Sequence, residues 1–383
     1  MKKVSILSLH LGYGGIEKSV VALANMLSSK YNVEIACCYQ LYDDCVFPLD
    51  KKVKVKYLNE KDIVPNKESF KEALRSFRVF RTIKEGLFSI KVLNRRKKSI
   101  VQYIKNCDSD IIISTRDIFN KWLGSYGKKD TLKIGWEHNH FHNNIKYANK
   151  VVSSVLKLNY FVLVSEELKN YYQERLKDSS CTCVMIPNCI EKLPEKTSNL
   201  KEKRLISVGR LSSEKGYKDL LKIFDLFQKN NNEWVLDIIG DGVEMPELRN
   251  YIEENHLDDV ITLHGFQGKD YIEKMMLSSS IYLMSSYTES FGIVLIEAMS
   301  YGIPCIAFDS AEGAREIIKD GENGYLISNR DYGGMIEKIE TLIQDDELRI
   351  KMGKEARNSV KKYTSDVVKE EWFKLLEKSD YDE

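Results

Sequence analysis

Short β-prone segments and helical ones alternate along this chain in two separate series, and that alternation limits the fold more than any other feature. In the first series, segments 4–9, 33–38, 53–57, 111–114, 132–136, 160–164 and 182–186 have strand character. Apolar runs this short and this continuous predict a parallel sheet covered by helices on both faces. The pattern stops at Pro187-Asn188 and gives way to a polar, charged stretch over 191–203 that contains Pro194. It then restarts, with strands expected at 204–208, 234–239, 261–263, 281–284 and 305–307 and helices at 217–228 and 246–254. The fold class that follows is α/β, with two doubly wound domains. A length of 383 residues agrees, since one core seldom grows that large. The expected divisions are a first domain over 1–189, a linker over 190–203, a second domain over 204–365, and a closing helix over 366–383 free to pack back on the first.

Composition removes several classes of function. A net charge of +1 gives no global reason to expect nucleic acid. The eight cysteines include no Cys-x-x-Cys pair, and Cys181 and Cys183 alternate about Thr182 as core residues of a strand do. The apolar run over 4–11 is broken by Ser5, Ser8 and His10 and ends in glycines, so it reads as a first strand and not as a signal peptide. No stretch reaches the roughly 18 uninterrupted apolar residues of a spanning helix. The expected compartment is the reducing cytoplasm, with any membrane contact peripheral.

One segment departs from the overall balance. Residues 67–105 carry twelve Lys and Arg against three Glu, with Phe70, Leu74, Phe77, Phe80, Leu87 and Ile90 at roughly helical spacing. A basic amphipathic helix suits an anionic membrane surface, here the inner face of the cell membrane, with Arg95, Arg96, Lys97 and Lys98 as the contact. Two helices packed on the sheet with a solvated basic face account for the same pattern.

The loops that follow the strands hold the chemistry. Gly12, Gly14 and Gly15 lead into a helical run from Glu17, which stands where a dinucleotide fingerprint needs its third glycine. Gly14 and Gly15 leave room for a phosphate or sugar, or for a tight turn only. After the fifth strand, Glu137-His138-Asn139-His140-Phe141-His142 places three of the six histidines together. Alternating histidines are able to ligate a metal, but this stretch follows its strand, where ligand-binding loops of open α/β sheets lie. Asp108-Ser109-Asp110 precedes its strand and sits at the wrong end of the sheet for a metal clamp. In the second half, Arg210 and Lys215 lie five residues apart on a strand-to-helix loop, a fork and a point charge suited to phosphate. His264-Gly265-Phe266 offers backbone groups and an aromatic face to a base.

The segment 288–302 ties these together. Glu289 and Ser290 lie in a polar loop, Phe291 and Gly292 follow, and Glu297 stands alone among Ile293, Val294, Leu295, Ile296, Ala298 and Met299. A helix starting near Phe291 offers an anion site at its tip, with Glu297 further along the axis within reach of sugar hydroxyls.

With these residues laid out, the chain resembles family 4 of the retaining glycosyltransferases, which have the GT-B fold of two Rossmann-like domains facing a central cleft. The Glu-x7-Glu motif matches Glu289 to Glu297, and the Gly-Arg-x4-Lys-Gly loop matches Gly209, Arg210, Lys215 and Gly216. Gly14 and Gly15, His138, Pro187-Asn188, and Gly313, Glu316, Asp320, Asn323 and Gly324 also follow the family pattern. The stretch 308–316 looks most like members that build bacterial capsular or other surface polysaccharides, although Ala314 stands where many relatives carry Pro. The resemblance implies that Arg210 and Lys215 hold a diphosphate, with the amides around Gly292, Ile293 and Val294. It implies Glu297 on the ribose, Glu289 on the donor sugar, Gly265 and Phe266 beside the base, and His138 as the active-site histidine. It implies a UDP-hexose donor, a glycan or lipid-linked acceptor, retention at the anomeric carbon, and no need of a cofactor or metal. An epimerase or hydrolase on the same scaffold, or a non-catalytic nucleotide-sugar-binding subunit, is the alternative.

Overall fold

A computed structural model describes residues 1–142 and 144–378. The chain divides into two compact units, Met1–Ile186 with the chain from Lys369 onward, and Pro187–Val368.

Unit 1 is built from β1 (Lys3–Ser8), α1 (Gly15–Leu27), β2 (Asn32–Cys37), β3 (Lys54–Tyr57), α2 (Lys67–Arg75) and α3 (Val79–Asn106). β4 (Ile111–Ser114), α4 (Asp117–Tyr126), β5 (Leu132–Glu137), α5 (Ile145–Val155), β6 (Tyr160–Leu163), α6 (Glu166–Arg175) and β7 (Thr182–Met185) complete the series. The sheet runs β3-β2-β1-β4-β5-β6-β7. All its pairings are parallel. The central strands are apolar because both their faces are covered, and every residue of β4 is buried. Cys181 and Cys183 are core residues of this unit. The far end of the chain contributes too, since Trp372 packs edge-on against Trp136 at 5.2 Å and Phe373 against Tyr31 at 5.8 Å.

Unit 2 restarts with β8 (Arg204–Val208), α7 (Tyr217–Gln228), β9 (Val235–Ile239), α8 (Met245–Glu254), β10 (Ile261–Leu263) and α9 (Lys269–Leu277). It continues through β11 (Ile281–Met284), α10 (Ile293–Ser300), β12 (Cys305–Phe308), α11 (Glu312–Ile317), β13 (Gly324–Ile327), α12 (Tyr332–Gln344) and α13 (Asp346–Ser359), before α14 (Ser365–Lys378). Its sheet runs β10-β9-β8-β11-β12-β13, again parallel throughout. Residues 190–203 are held against this unit. Ser198 Oγ donates to the Ser279 carbonyl at 2.6 Å, and the buried Arg349 donates to the Leu200 carbonyl from Nε at 3.0 Å and Nη2 at 2.9 Å.

Both sheets reverse their strand order once, between β1 and β4 and between β8 and β11. At such a switch point the loops leave the carboxyl ends of neighbouring strands in opposite directions and open a crevice, which is where doubly wound sheets bind ligands.

Candidate active site

In unit 2 the switch point is flanked by the loop from Gly209 to Gly216 and the loop from Ser285 to Gly292. The two loops touch. Lys215 Nζ is ion-paired with Glu289 Oε1, both side chains being largely withdrawn from solvent. Ser286 Oγ donates to the same Glu289 oxygen at 3.2 Å. Tyr287 N donates to the Glu214 carbonyl at 2.8 Å, a second tie between the loops. Arg210 stays at the mouth, with its guanidinium 3.8 Å from Glu214 and most of its surface exposed.

α10 begins at Ile293, two residues later than Phe291. The cause is Gly292, which sits in the left-handed region at φ 87° and ends the loop before helical geometry begins. A side chain is strained in that conformation and glycine is not. No side chain caps α10; Leu295 N donates to the Gly292 carbonyl at 2.9 Å, and the N–H groups of Ile293 and Val294, which no carbonyl of the helix can reach, follow directly on the loop that holds Glu289 and Ser290. The Phe291 ring is buried edge-on against Tyr363 at 5.4 Å, so this residue offers a ligand its backbone and not its ring. Glu297 is half-buried one turn into α10, about 6 Å along the axis from Ile293 at 1.5 Å per residue.

The floor of the loop is close-packed. A Cβ on Gly313 would lie 2.3 Å from the Phe291 carbonyl carbon and oxygen, and Gly313 N donates to the Glu289 carbonyl at 2.7 Å. Beneath Tyr287 lies Arg330. Its guanidinium stacks 3.5 Å from the Tyr287 ring centre, donates to the Ser285 carbonyl at 2.7 Å, and pairs with Asp219 at 3.0 Å. Beside β9 and β10, Gly265 has φ 67° with open space where a Cβ would be, and Phe266 is exposed next to it. The turn is anchored below by His264, whose Nε2 meets Asp237 at 2.5 Å and whose Nδ1 meets the Tyr271 hydroxyl at 2.8 Å.

Unit 1 has its own constellation. Gly14 is extended, and Gly15 starts α1 with nothing within 4 Å of a Cβ position. Close by, the buried Glu17 accepts from Arg116 Nη2 at 3.2 Å and lies 3.7 Å from His10 Nε2. Burial lowers the His10 pKa, against the pull of Glu17. Sequence reasoning passed over Arg116 and His10, although each lies just beyond a strand that flanks the switch point; that position was the available signal. After β5, burial pushes the Glu137 carboxyl up to about 7, and its Oε1 accepts from His138 N at 3.0 Å, Asn139 N at 2.8 Å and Asn139 Nδ2 at 3.1 Å. His138 is buried against Trp136, which lowers its pKa to about 3 and keeps the ring neutral. Among the described residues, His138 Nε2 is buried without a hydrogen-bond partner.

The basic quartet does not act as one group. Arg95, Lys97 and Lys98 are exposed, whereas Arg96 turns inward beside Cys38 and Tyr39. Arg95 and Lys98 border a polar cavity of about 510 Å³ with Lys56 and Asn59.

Two doubly wound units, each with charged side chains gathered at its switch point, define a fold of the GT-B type. The chain aligns over 98% of its length with a TarM structure from Staphylococcus aureus, solved with fondaparinux, alpha-GlcNAc-glycerol and UDP, at a TM-score of 0.78, 17% identity and 99% coverage of that chain. Residues 190–359 match the family described as Glycosyl transferases group 1. Over 98% of its length it is 26% identical to an uncharacterized glycosyltransferase of Haemophilus influenzae, covering all of that protein. It is 25% identical, over 98% of its length and all of the relative, to the N-acetylgalactosamine-N,N'-diacetylbacillosaminyl-diphospho-undecaprenol 4-alpha-N-acetylgalactosaminyltransferase of Campylobacter jejuni.

Proposed function

We propose that this glycosyltransferase moves a hexose from UDP to a glycan or lipid-linked acceptor in bacterial surface polysaccharide synthesis, with retention at the anomeric carbon. The observation that carries the reading is the Lys215–Glu289 pair at the switch point of unit 2, set against the uncapped start of α10. When the sugar–phosphate bond breaks, negative charge develops on the leaving diphosphate. Fixed cations and helix N–H groups stabilise that charge without having to reorganise. In this reading Lys215, Arg210 and the amides of Gly292, Ile293 and Val294 receive the diphosphate, and no metal is needed. Glu297 takes the ribose hydroxyls, Glu289 a hydroxyl of the sugar, and Gly265 with Phe266 the base. His138, neutral at physiological pH, acts as a hydrogen-bonding group through its unsatisfied Nε2.

UDP in the S. aureus structure and the lipid diphosphate in the C. jejuni relative's name support the choice of donor and acceptor. Calorimetric titration of UDP in the presence of a chelator tests the site. Arg210→Ala and Glu297→Gln are each expected to weaken binding by about 1–3 kcal/mol, the range for a hydrogen bond to a charged group. Unchanged affinity in both variants would overturn the assignment. Incubation of radiolabelled UDP-hexoses with membrane lipid extracts then identifies sugar and acceptor.

A further inference from the structure

The helical hairpin of unit 1 turns its apolar face outward. α2 and α3 meet at Phe77, a non-glycine residue in the left-handed region at φ 52° and 90% exposed. At about 100° per residue, Val79, Phe80, Ile83, Leu87, Ile90 and Leu93 of α3 share one arc of about 140°. Val92, buried at 3% exposure, lies on the opposite side of the helix and fixes which face packs inward. Phe80 is 91% exposed and Leu87 64%. A soluble helix normally has the reverse arrangement, with its apolar stripe on the core. A contiguous exposed apolar face of this kind marks a binding surface.

The charges at its rim indicate the partner. Lys84, Lys91, Arg95 and Lys98 follow one another along one edge of the arc, all exposed. Among the described residues none of these four is paired with a carboxylate, whereas Arg81 and Lys71 pair with Glu72 and Glu68. Glu85, the single acid of α3, is occupied by Asn66. A second copy of the chain laid against this face would bring cations to cations with no acid to meet them. An anionic lipid surface satisfies both features at once, because its headgroups meet the lysines and its acyl boundary takes the apolar side chains.

We infer that the α2–α3 hairpin docks this chain on anionic membrane, with Phe77, Phe80 and Leu87 entering the acyl boundary and Lys84, Lys91 and Arg95 contacting headgroups. The quartet Arg95 to Lys98 contributes through three of its members only, because Arg96 faces the protein. The docking is independent of the donor site.

The test is co-sedimentation of the full chain with vesicles of phosphatidylglycerol and phosphatidylcholine, and with phosphatidylcholine alone. The wild-type chain is expected to pellet with the anionic vesicles and not with the neutral ones. Phe80→Glu/Leu87→Glu is expected to bind at least tenfold more weakly, with an unchanged thermal midpoint and unchanged affinity for UDP. Lys84→Glu/Lys91→Glu is expected to lose about fivefold or more per residue, the factor equivalent to about 1 kcal/mol for each charge at the surface. Equal pelleting of wild type and Phe80→Glu/Leu87→Glu overturns the inference. So does a wild-type dimer in solution that Phe80→Glu dissociates and that ignores vesicles, which assigns the face to a second copy.

Discussion

Lys215 Nζ and Glu289 Oε1 form an ion pair that joins the loop after β8 to the loop after β11, across the point where the sheet of unit 2 reverses its strand order. The pair holds a cation and a carboxylate together between the two loops, and in the proposed reading a diphosphate would compete with Glu289 for Lys215. Separating the two tasks gives a prediction. Lys215→Ala removes the cation and is expected to weaken UDP binding by about 1.5–3 kcal/mol. Glu289→Gln leaves the cation without its competitor, so UDP affinity is expected to hold or rise while kcat falls. Calorimetry beside initial rates measures both. A Glu289→Gln variant that loses as much UDP affinity as Lys215→Ala would show that the carboxylate serves the nucleotide and not the sugar.

Two glycines separate packing from ligand contact. Gly313→Ala drives a methyl into the Phe291 backbone, 2.3 Å away, beneath the loop that carries Glu289. Overpacking of this type costs about 1–3 kcal/mol, and both the thermal midpoint and UDP affinity are expected to fall. Gly15→Ala meets nothing within 4 Å. Alanine is the better helix former and meets no clash at the start of α1, so the midpoint is expected to hold or rise while transfer activity drops. Full activity in Gly15→Ala would mean that no ligand approaches this turn.

The two sheets could be read from the chain because buried parallel strands leave an apolar signature that needs no tertiary context, as in Ile111–Ser114 and Ile281–Met284. β13 (Gly324–Ile327) left no such signature. It opens on a glycine, required because a Cβ would lie 2.5 Å from the Cys305 carbonyl oxygen, and two of its four residues are half-exposed. In the candidate site, Arg210, Lys215 and Glu289 were visible because they cluster at strand ends. Arg330 was not, because its place under Tyr287 is reached from a loop after β13. The outward apolar face of α3 was equally hidden, since periodicity reports an amphipathic helix without saying which face is covered.

Arg330 is expected to be a positioning residue. It adopts φ 62°, stacks on Tyr287 and Phe308, and neutralises the buried Asp219, which also takes hydrogen bonds from the Tyr332 and Tyr287 hydroxyls. Arg330→Ala leaves that carboxylate uncompensated, and loss of one member of a buried pair costs about 3–5 kcal/mol. Arg330→Lys keeps the charge but not the planar fork or the stacking, so partial recovery is expected. Urea denaturation of the two variants, with UDP affinity measured in each, checks this. A purely local role predicts that Arg330→Lys restores stability and affinity together; recovery of stability alone would show that the guanidinium also orders the Ser285–Tyr287 loop for the ligand.

Glu137 and His138 pull the pH dependence of stability in opposite directions. Burial raises Glu137 from 4.5 to about 7, so between these values the folded chain holds a proton that the unfolded chain has released. Stability from this group therefore falls as pH rises through that window and stays low above it. His138 is lowered from 6.5 to about 3, so the unfolded chain takes up the proton first as pH drops, and stability falls between 6.5 and 3. Glu137→Gln removes the first effect. The stability of this variant relative to wild type is expected to rise by up to about 3 kcal/mol from pH 4.5 to 7, read from urea midpoints across the range. A flat difference would mean that Glu137 ionises as freely as in water. The same burial makes His138 a neutral donor or acceptor at working pH, so the rate profile is expected to show no break near 6.5 that depends on it. A break there that vanishes in His138→Gln would show the imidazole titrating in the active protein, and would replace hydrogen bonding by proton transfer as its role.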